Sequence, residues 1–114
     1  MESLGIGLRR QQLEPFMVTI EPGQGNADQP VSHAGEELVL ALEGVVDYCV
    51  DQRVYRLEPG ASLLFDATLP HCFINNGRNT ARLVMVFHAG DSTHMARRVH
   101  MDARLATMAG TAAR

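Results

Sequence analysis

His33-Ala-Gly-Glu-Glu-Leu-Val-Leu-Ala-Leu-Glu-Gly44, read together with Leu69-Pro-His71, is the stretch on which the fold turns. From Glu37 to Glu43 the residues alternate as a strand does. Glu37, Val39 and Ala41 share one face, and Leu38, Leu40 and Leu42 share the other, more apolar one. Apolar groups on both faces suit a strand that lies between a barrel interior and a second packed surface. Gly44 interrupts the run. His71 opens a different strand after a proline, so two imidazoles and one carboxylate can meet in the mouth of a small β-barrel.

Working outward, Leu13-Glu-Pro-Phe-Met-Val-Thr-Ile20 alternates with Phe16, Val18 and Ile20 on one face, and Pro15 suits a position near the strand start or at an edge. Residues 1–12 read as a lead-in, and Glu21 to Pro30 as a loop. Beyond Gly44, Val45–Val50 and Arg53–Leu57 form a hairpin around the two-residue turn Asp51-Gln52. Glu58-Pro-Gly60 turns into a short strand over Ala61–Phe65. His71–Asn75 and Arg82–Phe87 close the set across the Asn76-Gly77 turn. Seven or eight short strands with no helix between them predict an all-β sandwich or barrel. From Asp91 the character changes: Ser92 or Thr93 can cap a helix with Met95, Val99, Ala103 and Ala106 on one stripe, and the alternative is a loose tail.

Composition excludes several classes. At 114 residues the chain makes one domain. A hydrophobic share of 46% against 20% charged residues belongs to a globular protein, not a disordered one. No apolar run approaches the roughly 20 residues that cross a bilayer, and the first residues lack signal-peptide character; the expected location is the cytoplasm. The net charge is −3 and the ten basic residues, all arginine, are scattered, so no direct contact with nucleic acid is expected. Cys49 and Cys72 stand in no C-x-x-C spacing and read as small buried hydrophobes, not as a disulfide framework.

His33, Glu37 and His71 are the candidate metal ligands. Two neutral imidazoles and a carboxylate form the 2-His-1-carboxylate facial triad, which keeps coordination positions open and suits Fe(II). The mixed N/O set also accepts Mn, Ni, Co or Zn. The metal-free reading has the three residues forming a polar pocket for an organic ligand. Tyr48, Tyr55, Phe73 and Asn75 are candidates for lining that pocket, although aromatic packing and backbone capping are the commoner fates of such residues. Glu36 is expected to face solvent, Arg82 to lie on the surface, and His88, His94 and His100 to be surface or interface residues.

These residues resemble those of a cupin, over roughly residues 13–89. In the first cupin motif His33 matches the second histidine, Glu37 the glutamate and Gly44 the glycine; the first histidine position falls on Val31, which cannot ligate. In the second motif Gly60, His71 and Asn75 match, while the internal proline and second glycine are replaced by Asp66 and Thr68. The resemblance implies a single-domain double-stranded β-helix, or jelly-roll barrel, over residues 13–89, with a helix or tail over 90–114.

Leu8 to Ile20, Gly35 to Gly44 and Leu57 to Asp66 are similar to the C-terminal cupin sensor domain of helix-turn-helix regulators of the XRE type. That resemblance implies a small-molecule-binding, effector-sensing domain that forms a homodimer, with Leu38, Leu40 and Leu42 as candidate dimer residues or, equally, part of an intramolecular core, and a DNA-binding domain elsewhere in the protein. The alternative implied by the His-x3-Glu plus distant His pattern is a mononuclear non-haem iron oxygenase, as in hydroxypropylphosphonate epoxidases. A carbohydrate- or amino-acid-binding module without metal is the third reading.

Overall fold

The computed structural model describes residues 1–5 and 11–88, and the expected helix or tail over 90–114 lies outside them. Eight strands follow in chain order: β1 (Glu2–Ser3), β2 (Leu13–Ile20), β3 (Glu36–Glu43), β4 (Val46–Val50), β5 (Arg53–Leu57), β6 (Ser62–Asp66), β7 (His71–Ile74) and β8 (Ala81–His88). They pair antiparallel into a five-stranded sheet, ordered β1-β2-β8-β3-β6, and a three-stranded sheet, ordered β5-β4-β7. No helix occurs among the described residues, so none there is long and apolar enough to cross a membrane. The lead-in differs from expectation by supplying β1, which pairs with Phe16 and Met17 of β2.

The core fills the space between the two sheets. Phe16, Val18 and Ile20 of β2, Val39 and Ala41 of β3, and Leu83, Met85 and Phe87 of β8 are buried against Val46, Tyr48 and Val50 of β4 and Leu57 of β5. Each such Val, Leu or Phe side chain stabilises the fold by about 1.5–3 kcal/mol through loss of apolar surface to water. The period-two pattern decides which face goes inward, because a slip of one residue would exchange the two sets. On β3 that choice places Glu37 inside and turns the leucine face out. Leu38 and Leu42 stay 39% and 43% exposed, so the more apolar face of the strand lies outside the intramolecular core.

Pro15 is tolerated two residues into β2 because of its pairing. Its carbonyl accepts from Leu4 N on the β1 side, so the missing N–H also faces that short edge strand and not β8. Asp51 and Gln52 both adopt positive φ, 48° and 73°, which is the two-residue I′ geometry that matches strand twist. Gly44 has φ +67°, and a Cβ there would sit 2.6 Å from the carbonyl oxygen of Thr80. The glycine after β3 is therefore required both by backbone conformation and by the close approach of the chain entering β8.

The segment between β2 and β3 is not a free loop. Asn26 exchanges bonds with Phe73, its N donating to the carbonyl and its Oδ1 accepting from the amide, and Val31 and His71 exchange backbone hydrogen bonds in both directions. This segment covers the outer edge of β7 and satisfies groups that would otherwise stand open. On β4 and β7, Cys49 and Cys72 are direct cross-strand partners, both as free thiols. Cys49 is half-buried and Cys72 buried, and burial, followed by the neighbouring Cys49 thiol, pushes the Cys72 thiol up to about 12.

Candidate metal centre

Glu37 is the floor of the site. It sits inward on β3, fully buried, paired with Phe65 of β6 on one side and Phe87 of β8 on the other. His33 reaches it from the covering segment, anchored by its N donating to Ala67 O, while Ala67 N donates to Gly35 O. His71 reaches it from the first position of β7, locked by its two-way backbone pairing with Val31. Two neighbouring stretches and the distant β7 thus deliver one donor atom each, all within 4.8 Å of one another. Oε1 of Glu37 lies 3.3 Å from Nε2 of His33 and 3.4 Å from Nε2 of His71.

The hydrogen bonds of the two rings determine what those atoms can be. Nδ1 of His33 is 3.1 Å from Ala34 O, and Nδ1 of His71 is 2.8 Å from Leu69 O. A carbonyl can only accept, so each Nδ1 carries a proton, and each ring turns its Nε2 toward Oε1 of Glu37. With both rings neutral, two imidazole nitrogens and a carboxylate oxygen meet in one buried space, the mixed N/O donor set that a divalent ion takes. Donors bound to a shared ion at about 2.0–2.2 Å stand roughly 3.0–3.4 Å apart, close to the two separations found here. The residues present therefore fit a metal.

The remaining surroundings hold the donors in place. The Tyr48 hydroxyl donates to Oε2 of Glu37, which leaves Oε1 to the histidines. Burial, reinforced by the charge of Glu37 and that hydrogen bond, raises the Tyr48 phenol well above its usual value, so it remains a neutral donor. The Phe87 ring packs edge-on to His33 at 5.5 Å, and Phe65 packs against His71 at 4.9 Å. Val31, in the position of a fourth ligand, is buried and offers only methyl groups. A bound ion would meet three protein donors and keep its other positions for exogenous molecules.

The pocket candidates divide. Tyr48 joins the triad, and Phe73 stacks against it at 5.7 Å as part of the wall. Tyr55 lies apart from the triad, in a cleft of about 310 Å³ between β5 and β6, with Val50, Arg53, Leu63, Phe65 and Leu69. Phe65 is common to this cleft and to the contact with His71. Asn75 is not brought to the site: its Nδ2 donates to Ile20 O and Asn79 O, and its Oδ1 accepts from Gly77 N. Glu36, Arg82 and His88 point outward, with Arg82 within 3.8 Å of Glu43; His94 and His100 lie outside the described residues. Phe65 and Phe87 escaped the sequence reading, because their place beside Glu37 is set by the register of β3 with β6 and β8.

The comparisons bear on the family and the fold. The chain is 27% identical over 78 residues to the HTH-type transcriptional regulator PuuR of Escherichia coli K12, an alignment covering 68% of this chain and 42% of that protein. It therefore spans under half the length of the curated relatives it matches. The Cupin_2 domain of an XRE family transcriptional regulator from Enterobacter cloacae superimposes with a TM-score of 0.68 at 18% identity, over 76% of this chain and 92% of that one, a likeness of fold. Iron(II)-bound HppE with its substrate superimposes with a TM-score of 0.57 at 27% identity, over 67% of this chain and 45% of that one. The family model for the cupin domain matches residues 16–87, and on that match, the two antiparallel sheets and the placement of Glu37, Gly44 and His71, the chain belongs to the cupin domain family.

Proposed function

We propose that this chain is a small-molecule-binding cupin domain in which His33, Glu37 and His71 hold a divalent metal ion, and that it forms the effector-sensing part of a transcriptional regulator in the cytoplasm. The observation that carries the metal reading is the convergence of three ligand atoms, from His33, Glu37 and His71, with each Nδ1 held by a backbone carbonyl and each Nε2 turned to Glu37. The likeness to an HTH-type regulator supports the sensing role, with DNA contact made by a segment outside this domain. Bound iron, manganese, nickel, cobalt or zinc would supply a Lewis-acidic centre able to take an oxygen or nitrogen group of an effector. Tyr48 orients the carboxylate, Phe65 and Phe87 exclude water beside the imidazoles, and the Tyr55 cleft offers the effector an approach. The outward face of β3, with Leu38 and Leu42 exposed and Leu40 half-buried, serves a homodimer, through which occupancy of the site would bias the attached DNA-binding element.

A second reading is a mononuclear iron oxygenase, favoured by the likeness to iron(II)-bound HppE. One experiment separates the two. The protein, loaded with each metal in turn, is screened against a panel of small organic acids, amines and sugars by thermal shift, with dioxygen consumption followed in parallel. A sensor shows metal-dependent stabilisation by a narrow set of compounds without turnover. Sustained dioxygen uptake dependent on iron and on one of those compounds establishes the oxygenase instead, and no metal-dependent stabilisation by any compound overturns the sensing role.

A further inference from the structure

Cys49 and Cys72 are 23 positions apart in sequence, yet the β4–β7 register sets them directly opposite each other. Two neighbouring pairings show which kind of opposition this is. Asp51 N donates to Pro70 O, whereas His71 and Phe73 turn their backbone groups away from β4, toward Val31 and Asn26. Cys72 therefore directs its own N–H and C=O to Cys49. The two form a hydrogen-bonded cross-strand pair, for which Cα atoms lie about 5.5 Å apart, within the roughly 4.4–6.8 Å that a disulfide spans. Their side chains project on the outer face of the three-stranded sheet, opposite in parity to Tyr48, Val50, His71 and Phe73. Cys49 is half-buried and so meets solvent, while Cys72 is buried.

We propose that Cys49 and Cys72 are a dithiol oxidation site that forms a reversible disulfide between β4 and β7, with a peroxide as oxidant. The Cys49 sulfur attacks one peroxide oxygen; an S–O bond forms, the O–O bond breaks, and the departing hydroxide leaves as water with the proton that Cys49 gives up. The Cys72 sulfur then attacks the Cys49 sulfur, the S–S bond forms, and the displaced hydroxyl leaves as water with the proton from Cys72. Each cysteine gives up one electron, and the peroxide is reduced by two. Closing the bridge draws the two Cβ atoms together, because hydrogen-bonded pairs stand wider at Cβ than a relaxed disulfide. A bridge under such strain is readily reduced again. The strands drawn together carry Val50 and Tyr48 opposite His71 and Phe73, on either side of the cysteine pair. Oxidation on the outer face thereby shifts His71 and Tyr48 on the inner one. The disulfide itself is independent of what the triad holds; its value as regulation of metal binding rests on the reading above.

The test uses the full chain, freed of metal by chelation, treated with hydrogen peroxide, blocked with N-ethylmaleimide and digested with trypsin. Cleavage after Arg10, Arg53, Arg56 and Arg78 puts the two cysteines on separate peptides, residues 11–53 and 57–78. The expected product is a monomeric chain lighter by two hydrogens, with neither cysteine alkylated and those peptides joined, returning to two alkylated thiols after dithiothreitol. Cys49→Ser and Cys72→Ser should each abolish the joined species. In the same oxidised sample the His71 imidazole resonance should move and that of the exposed His88 should not. Full alkylation of both thiols, bridging only between chains, or over-oxidation of Cys49 alone would overturn the site; a bridged chain with His71 unmoved would overturn its coupling to the triad. Neither readout involves a metal, so failure of the metal reading remains distinguishable.

Discussion

Replacing Tyr48 by phenylalanine isolates the contribution of one hydroxyl to the centre. Both partners of its hydrogen bond are fully buried, and the ring is retained, so its 5.7 Å contacts with Phe65 and Phe73 persist and the cavity left is small. What is lost is a hydrogen bond to a charged acceptor, about 1.5–3 kcal/mol, with the Glu37 oxygen left in the barrel interior without that donor. A loss of about 2 kcal/mol lowers the melting temperature of a domain this size by roughly 8–16 °C. The chain contains no tryptophan, so urea unfolding of the chelated protein is best followed by circular dichroism. The midpoint should fall with an unchanged slope. Tyr55→Phe, on the cleft, should stay within about 0.5 kcal/mol of wild type. The decisive comparison is a double-mutant cycle: in a Glu37→Gln background the same change should cost about 1 kcal/mol less, since the charge that strengthens the bond is gone. An unchanged midpoint for Tyr48→Phe, or equal losses in both backgrounds, would refute the role given to the hydroxyl. The metal arm should follow, with affinity about 10–100-fold weaker in Tyr48→Phe.

Other perturbations have equally definite outcomes. Gly44→Ala combines positive φ with a backbone contact at 2.6 Å and should lose more than about 3 kcal/mol in urea unfolding, whereas Gly60→Ala, at φ +93° in open space, should lose about 1–2 kcal/mol. Asn75→Asp removes the donors that hold Ile20 O and Asn79 O and should cost about 2–3 kcal/mol without altering metal stoichiometry, measured by unfolding and elemental analysis. The folded Cys72 thiol keeps its proton to about 12 against an ordinary 9.0, so the unfolded chain releases a proton that the folded chain retains. Stability is then whole below pH 9.0 and falls as pH rises toward about 12. Urea midpoints under reductant should show that decline, reduced in Cys72→Ala and not removed, because Tyr48 adds to it in the same direction.

Strand alternation made most of the barrel readable before any coordinates. Phe16, Val18 and Ile20, the Asp51-Gln52 turn and the glycine at 44 each express a local rule, and each stands where the rule places it. The orientation of β3 was not readable in the same way. Its leucines are the more apolar set, but the inward face is fixed by Phe65 and Phe87 flanking Glu37, a pairing that depends on strands distant in sequence. The covering segment over Glu21–Pro30 carries every sign of a loop, and its hydrogen bonds to β7 are tertiary. The Cys49–Cys72 opposition is hidden for the same reason: register, not spacing, creates it. For the site, residue types named His33, Glu37 and His71, and backbone capping was the commoner fate expected of Asn75, while Tyr48 as donor to Glu37 emerged only from geometry.

The central claim is that the three converging ligand atoms exist to hold one cation. It is tested most directly by elemental analysis of the protein purified without chelator, alongside His33→Ala and His71→Ala variants shown by circular dichroism to be folded. One divalent transition-metal ion per wild-type chain, lost from both variants, is the result predicted. A sub-stoichiometric content in wild type that is unchanged in His33→Ala and His71→Ala would contradict it.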